Sequence, residues 1–322
     1  MRHGYGYFKN HIKDVKLTWG TALVGLLAVA FATSCTTSGG QPQMTSASKV
    51  VSERTVTGFK FPESVGCDPA NNALYVSEFG GTELKPGEKD NLGYIMKLSL
   101  DGKVLEDRFL PLPGITMNKP KGIWVRGNRL WVTDIDGVWE FDTKTKQGKK
   151  LLLPGAEFAN DPAILGDTLY VSDNRADQIF AVEPAEFLDA GSNPKVTVAW
   201  SKKEVNPNGV YPSKDGELLM VGFLSDKVKR AIYSMSSGYD PKALSEPIGR
   251  LDGLYEMGNG TLLATDWDSG SVFMWTKAGG MKAIATGFKG PADLCAYPNA
   301  GGLMVVAPDL VKSELRMIQM GN

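Results

Sequence analysis

Polar residues stand at six places along the chain, each at the start of a β-rich stretch, and all but one place supply side-chain oxygen atoms that could bind a metal ion. These residues are Glu63, Lys121, Asn160 with Asp161, Asn208, Asp252 and Asp293. Carboxylates and carboxamides suit Ca²⁺, because this hard cation takes roughly six to eight oxygen ligands in flexible geometry. We predict that Ca²⁺, or another divalent cation, is held by Glu63, Asn160, Asn208 and Asp252. Lys121 and Asp293 are predicted to lie beside these four residues, at the mouth of a central channel.

Histidine is confined to the first residues of the chain, where His3 and His11 are the only two. If this leader is removed, the protein has no histidine. Ser-His-Asp and Cys-His catalysis, His-ligated zinc and a histidine general base are then excluded. A reaction would need a carboxylate, a lysine, a tyrosine or metal-activated water. We predict that Asp252 or Asp161 activates water for hydrolysis.

The polar openings recur at intervals of ~40–60 residues, the period of propeller blades or solenoid units. Each opening leads through a turn to a second β-rich run, at 74–77, 130–133, 169–172, 218–221, 262–265 and 303–306. Short, evenly spaced strands without a convincing amphipathic helix predict an all-β, six-bladed β-propeller with four-stranded antiparallel blades over 51–322. Residues 51–56 are expected to add an outer strand to the last blade. Inner strands begin near the axis of such a ring, so the six openings should meet there.

The first 34 residues have the pattern of a secretory leader. Residues 1–16 are basic, and an uncharged apolar run from Leu17 to Ala32 follows. This run is short for a membrane span. Ala32-Thr33-Ser34-Cys35 is typical of a lipoprotein cleavage site, which predicts lipidation of Cys35, a flexible tether over 35–50 and a periplasmic or cell-surface location. Simple cleavage near Ser34, with Cys35 incidental, is the alternative.

Composition narrows the range of partners. The formal net charge is −1, and the chain beyond the basic leader is mildly acidic, which disfavours binding to nucleic acid. The expected partner is a small lactone or ester, or a protein ligand, and the expected state is a monomer that meets the membrane only through its lipid anchor. Cys67 and Cys295 are predicted to be separate buried thiols, since the inner strands of propeller blades diverge from one another.

The openings resemble those of the gluconolactonase family, which includes senescence marker protein. Pro62-Glu63-Ser64 is similar to the Pro-Glu-Gly motif of that family, and Asn160-Asp161 matches its Asn-Asp motif. Pro207-Asn208-Gly209 and Asp252-Gly253 match its remaining two ligand motifs. The resemblance covers roughly residues 56–320 and implies a six-bladed propeller that hydrolyses lactones with a divalent metal in its channel. It also implies that the residue at Asp252 is a metal ligand and the general base.

Two features separate this chain from the family pattern. Phe158 stands where members that act on sugar lactones often carry an arginine, and Ser64 replaces a glycine. The related paraoxonase and phosphotriesterase propellers use a histidine near the metal, and none is available here. A second interpretation is a non-catalytic propeller of the NHL type, which acts as a binding module or scaffold. In that case Lys121 would pair with Asp161 or Asp293 and take the place of a metal.

Overall fold

The structure is a computed structural model that describes residues 49–202, 204–258 and 260–321. Twenty-four strands form six four-stranded antiparallel sheets, which confirms the predicted six-bladed, all-β propeller. The leader, Cys35 and the tether up to residue 48 lie outside the described residues. Within the described part, no helix is long and apolar enough to cross a membrane.

Each blade uses consecutive strands, from an inner strand at the axis to an outer strand at the rim. Blade 1 consists of β2 (Pro62–Asp68), β3 (Ala73–Glu78), β4 (Tyr94–Leu98) and β5 (Val104–Leu110). Blade 2 consists of β6 (Pro120–Arg126), β7 (Arg129–Asp134), β8 (Gly137–Asp142) and β9 (Gly148–Leu152). Blade 3 consists of β10 (Ala159–Leu165), β11 (Thr168–Asp173), β12 (Gln178–Glu183) and β13 (Lys195–Ser201). A single 3₁₀ turn, Pro69–Asn71, joins β2 to β3.

The second half of the ring repeats this order. Blade 4 consists of β14 (Pro207–Pro212), β15 (Leu218–Gly222), β16 (Ile232–Met235) and β17 (Lys242–Ala243). Blade 5 consists of β18 (Leu251–Gly258), β19 (Thr261–Asp266), β20 (Ser271–Thr276) and β21 (Gly280–Thr286). Blade 6 consists of β22 (Cys295–Asn299), β23 (Gly302–Asp309), β24 (Glu314–Met320) and β1 (Val50–Thr57). The first strand of the chain therefore completes the last blade, because β1 pairs with β24 along its length.

Burial falls from the axis to the rim of each blade. Every residue of β3 is buried, whereas the outer strands β1 and β5 are mostly exposed. The apolar side chains pack between neighbouring blades; Leu74 and Val76 of blade 1, for example, contact Met317 of blade 6. Full burial of one such side chain stabilises the fold by about 1.5–3 kcal/mol. The alternating apolar residues thus hold the six sheets face to face around the channel.

A disulfide joins blade 1 to blade 6, and this corrects the prediction of separate thiols. Cys67 lies in β2 and Cys295 opens β22, with a Cα–Cα distance of 5.8 Å. That separation is ordinary for a disulfide. The prediction failed because blades 1 and 6 are neighbours in the closed ring, and their inner strands have not yet diverged so close to the axis. Both cysteines are partly, not fully, buried.

We predict that the joint substitution of Cys67→Ser and Cys295→Ser lowers stability. The crosslink spans 228 residues, so its loss restores considerable freedom to the unfolded chain. We expect a loss of about 2–4 kcal/mol, seen as a melting temperature roughly 4–12 °C lower. The oxidised parent protein and a Cys35→Ser variant, which keeps the crosslink, serve as controls. An unchanged melting temperature in the double variant would show that the crosslink contributes nothing.

Candidate metal centre at the upper end of the channel

The end of the channel at which the inner strands begin is called the upper end, and one residue from each blade forms a ring there. Strand register defines this ring. Pro62, Pro120, Ala159, Pro207 and Leu251 each pair with the last residue of the adjoining second strand, and Pro291 pairs likewise with Asp309. The residues that follow them are the upper ring: Glu63, Lys121, Asn160, Asn208, Asp252 and Ala292.

A break in strand pairing accompanies the ring residues. The register shifts between Pro62 and Ser64, and equivalent shifts occur in the inner strands of blades 2 to 5. Bulges of this kind bend a strand and redirect its side chains, and they are common beside active sites. Glycine follows the ring residue in blades 2, 4 and 5, because the neighbouring inner strand is very close. A Cβ at Gly209 would lie 2.2 Å from the carbonyl oxygen of Asp252.

Buried carboxylates at the ends of the second strands hold the segments that enter the ring. Asp134 accepts from the backbone N–H groups of Asn118 and Lys119, and Asp173 accepts from those of Glu157 and Phe158. Glu78, Asp266 and Asp309 do the same in blades 1, 5 and 6. Gly222 occupies this place in blade 4, where Asp177 instead accepts from the N–H groups of Glu204 and Asn206. These bonds fix the backbone immediately before the ring residues.

Hydroxyl groups of the second strands join neighbouring blades at the same level. The Ser172 hydroxyl accepts from the N–H of Asp161 in its own blade and donates to the carbonyl of Asn208 in the next. Thr265 connects Gly253 to Ala292 in the same manner. Thr133 donates to the carbonyl of Asn160. These bonds set the spacing between adjacent ring residues.

Three of the four predicted metal ligands carry a buried oxygen with no hydrogen-bond partner among the described residues. These atoms are Oε2 of Glu63, Oδ1 of Asn208 and Oδ1 of Asp252. Their residues are between 2% and 6% exposed, and Asn160, at 4%, is buried beside them. An unpartnered buried acceptor costs about 1–3 kcal/mol, so three in one ring call for a shared donor or cation. The oxygen donors therefore fit a hard divalent ion.

The donor set is mixed in chemistry. In the part of the chain that the structure describes, no group of three or more His, Cys, Asp or Glu side chains is arranged to hold a metal. The candidate centre has only two carboxylates, Glu63 and Asp252, and its other donors are amide oxygens. Ca²⁺ accepts such neutral oxygens, whereas softer metals favour nitrogen or sulfur.

The carboxylates around the axis raise one another's pKa. Burial is the first cause of the raised pKa of Glu63, and the charge of Asp252 adds to it. Burial likewise raises the pKa of Asp252 to about 7, while the indole N–H of Trp267, 2.8 Å from its Oδ2, opposes the shift. Residues 189 positions apart in the chain thus act on each other directly, as the convergence of inner strands requires. A bound cation would offset this repulsion.

Lys121 lies in the upper ring, where the alternative interpretation pairs it with Asp161 or Asp293. Among the described residues, no ion pair joins Lys121 to Asp161 or Asp293. Its Nζ instead donates to the carbonyl of Lys119 at 3.1 Å and lies 4.1 Å from the ring centre of Phe158. Burial lowers the pKa of Lys121 to about 8, and the nearby charge of Glu63 opposes this shift. Of the nearby charged groups, Glu63 therefore has the largest effect on the pKa of Lys121.

Asp161 and Asp293 lie one residue beyond the upper ring. Oδ2 of Asp161 accepts from the N–H of Val210 at 2.8 Å, and Asp293 accepts from the Ser64 hydroxyl and the N–H of Leu294. Both carboxylates line a cavity on the other side of the ring, which Glu63, Asn208 and Asp252 do not line. Ala292, not Asp293, occupies the ring position of blade 6. Of the two proposed water-activating carboxylates, Asp252 is therefore the one in the ring.

Spacing along the sequence did not reveal the residues that surround the ring. The indole N–H of Trp267 donates a hydrogen bond to Asp252, and its ring lies tilted against that of Phe223 with the ring centroids 5.4 Å apart. The guanidinium of Arg175 lies 4.0 Å from the ring centre of Phe158, so a cation stands at the mouth although the family's arginine is replaced. These residues follow second strands, where a repeat pattern gives no sign of a shared function.

A loop over 79–93 extends along the upper end from blade 1. Lys119 Nζ donates to the carbonyl of Phe79 at 3.1 Å and pairs with Asp90. Asn91 N–H bonds to Asn118, and Lys89 pairs with Asp136 of blade 2. The loop is therefore fastened to blade 2 on the face where a substrate would reach the ring.

Comparison with known proteins shows a likeness of fold. No protein-family model matches the chain, and no curated protein matches it. A solved gluconolactonase from Xanthomonas campestris superposes with a TM-score of 0.61 at 16% identity, over 84% of this chain and 91% of that one. Virginiamycin B lyase from Staphylococcus aureus gives a TM-score of 0.56 at 13% identity, over 83% of this chain and 99% of the lyase. These superpositions show a shared propeller fold, and the likeness to the gluconolactonase agrees with the resemblance of the sequence motifs.

A variant of the lyase has also been solved, and its histidine-to-alanine substitution is described as leaving it catalytically inactive. It superposes with a TM-score of 0.50 at 13% identity, over 83% of this chain and 99% of that one.

We predict that the metal-free protein becomes more stable as the pH falls from about 8 to about 5. The pKa of Asp252 is raised to about 7 in the folded state, from 3.8, so the folded protein binds more protons than the unfolded chain between these values. Stability is therefore greatest at the acidic end and declines as pH rises through 7. Melting temperatures in the presence of a chelator should rise by a few degrees on acidification.

Asp252→Asn is the control, since an amide does not titrate; it should reduce the trend, and the raised pKa values of Glu63, Asp161 and Asp293 should keep the remainder. A melting temperature that rises with pH across the same range in the metal-free protein would contradict the electrostatic account. Added Ca²⁺ should also weaken the trend, because the ion favours the ionised carboxylates.

Proposed function

We propose that the protein is a metal-dependent hydrolase of the gluconolactonase type, acting on a lactone or an ester at the upper end of its channel. The observation that carries the proposal is the set of three unpartnered oxygens, on Glu63, Asn208 and Asp252, in one buried ring. The four-motif resemblance supports the same assignment. Glu63, Asn160, Asn208 and Asp252 would hold Ca²⁺ or a similar divalent ion, with two negative charges among them.

The residues in and around the ring have different roles in the proposed reaction. When bound, the divalent cation supplies Lewis-acid polarisation of a carbonyl. Asp252 has one oxygen fixed by Trp267 and the other unpartnered, so its carboxylate is oriented and able to accept a proton. Asp161, which sits behind the ring and accepts from Val210, is less well placed for that task. Trp267 orients the carboxylate without reacting.

A lyase reaction like that of the second structural neighbour is less favoured. That enzyme is inactivated by replacing a histidine, whereas the only histidines of this sequence are His3 and His11, in the leader that lies outside the described residues. The chemistry proposed here needs no histidine, because Asp252 takes the role of the base.

The second candidate function is a non-catalytic propeller that binds a protein or small ligand. The fastened loop over 79–93 favours it, since a loop tied down by Lys119 and Asp90 offers a defined surface and restricts access to the ring. Metal binding separates the candidates: a scaffold has no need of a cation at the ring.

We predict that Asp252→Asn lowers the rate of lactone or ester hydrolysis by about 10²–10⁴-fold, the usual contribution of a general base. Metal affinity should fall less than the rate, since the amide keeps one oxygen for the ion. Calorimetric titration with Ca²⁺ measures binding, and a panel of lactones and esters measures the rate. Asp215→Asn, in an exposed turn remote from the ring, is the charge-matched control and should leave both unchanged.

Two outcomes would count against the hydrolase. If Ca²⁺ gives neither heat nor thermal stabilisation, the scaffold interpretation is preferred. If Asp252→Asn binds metal and hydrolyses substrates at the parent rate, Asp252 is not the base.

We also propose that the protein is exported and anchored by a lipid on Cys35, on the evidence of the apolar leader and the small residues before this cysteine. Cys35→Ser should move the protein from the membrane fraction to the soluble fraction, because one residue carries the anchor. Mass spectrometry of the parent N-terminus gives a direct measure. Recovery of both forms in the soluble fraction, with no lipid on Cys35, would leave simple cleavage as the explanation.

A further inference from the structure

A cavity of about 260 Å³ occupies the channel below the upper ring, and it is called the lower cavity. Its wall is built from the middle of the inner strands, at positions after the ring residues. The side chains that matter are Trp124, Tyr211, Tyr255, Asp161 and Asp293. This volume is near the lower end of the range for small-molecule sites, so it suits a ligand smaller than a typical drug.

Three aromatic rings from different blades meet in the lower cavity. Trp124 lies edge-on to Tyr211 with centroids 5.7 Å apart, and Tyr211 lies 5.1 Å from Tyr255. The three side chains are only partly buried, in contrast to Trp131, which is fully buried between blades.

The charged groups of the lower cavity are all acidic. Its lining includes the carboxylates of Asp161 and Asp293 but no lysine, arginine or histidine. Negative charge on these two carboxylates therefore meets no counter-charge on the cavity wall. The potential inside the cavity is consequently negative, and the aromatic faces add to it.

The same wall disfavours other ligand classes. An anion would meet two carboxylates and no counter-charge. A hard metal ion would find few free oxygens, because Asp161 already accepts from Val210, Asp293 accepts from Ser64 and Leu294, and the remaining wall is largely aliphatic or aromatic. A cation with an apolar surface meets neither obstacle, since aromatic rings attract it as carboxylates do.

We propose that the lower cavity binds a small organic cation, an alkylated or primary ammonium compound, between the rings of Trp124, Tyr211 and Tyr255 and the carboxylates of Asp161 and Asp293. The site is separate from the metal centre, since none of Glu63, Asn160, Asn208 and Asp252 lines the cavity, and its ligand has no part in hydrolysis. It stands whether the protein is an enzyme or a scaffold, because its evidence comes from other residues.

Choline is the probe, and its uncharged analogue with carbon in place of nitrogen is the matched control ligand. Calorimetric titration is carried out on the oxidised protein in chelator, so that the metal centre does not contribute. Choline should bind, and the analogue should bind at least about ten-fold more weakly, because it keeps the shape but loses the attraction to rings and carboxylates. Equal binding of the two compounds, or no heat with choline at tens of millimolar, would overturn the proposal.

Variants locate the binding site. Trp124→Leu and Asp293→Asn should each weaken choline binding by about ten-fold, since one removes an aromatic face and the other a charge. Tyr211→Phe keeps the aromatic face and should retain binding within about two-fold, which shows that the rings and not the hydroxyl act on the cation. Circular dichroism confirms that each variant is folded. Unchanged affinity in both Trp124→Leu and Asp293→Asn would place choline elsewhere and refute the site.

Discussion

Repulsion among carboxylates at the axis is the constraint on which the channel depends. Glu63, Asp161, Asp252 and Asp293 come from four blades, are all buried, and all have a raised pKa because burial disfavours their charged forms. Such groups persist in a fold only if protons, hydrogen bonds or cations compensate them. The protein uses hydrogen bonds for Asp161 and Asp293, and it leaves oxygens of Glu63 and Asp252 free. This division separates two carboxylates that accept hydrogen bonds within the protein from two that keep an oxygen free for a metal ion.

The ring is held in place by residues that are themselves unreactive. Buried carboxylates at the second-strand ends fix the backbone before each ring residue, and Ser172 and Thr265 join one blade to the next. The outer strands, by contrast, are exposed and tolerate change. Rigid support for the inner strands allows side chains that are far apart in the sequence to keep fixed positions around a small ion.

Much of the fold could be predicted from the sequence, because every blade repeats a polar opening, a turn and a β-rich run. The same repeat placed Glu63, Asn208 and Asp252 at the axis. It failed where a blade departs from the pattern: Ala292 occupies the ring position in blade 6, so Asp293 lies one residue further down than a simple alignment suggests. The link between Cys67 and Cys295 was missed because neighbouring inner strands were expected to diverge too far, whereas the two Cα atoms are 5.8 Å apart. Trp267 and Arg175 reach the mouth from turns after second strands, and no periodicity marks them.

The pairing of the first strand with the last has a mechanical consequence for a protein held by its N-terminus. Val50 is opposite Met320, so both chain ends leave the same end of the β1–β24 ladder. Tension applied between those ends would peel the ladder apart one rung at a time, beginning at Val50, which is the weak direction for a pair of strands. The link between Cys67 and Cys295 lies outside this ladder, in β2 and β22, so the other five blades and most of the sixth would remain a closed circle under load.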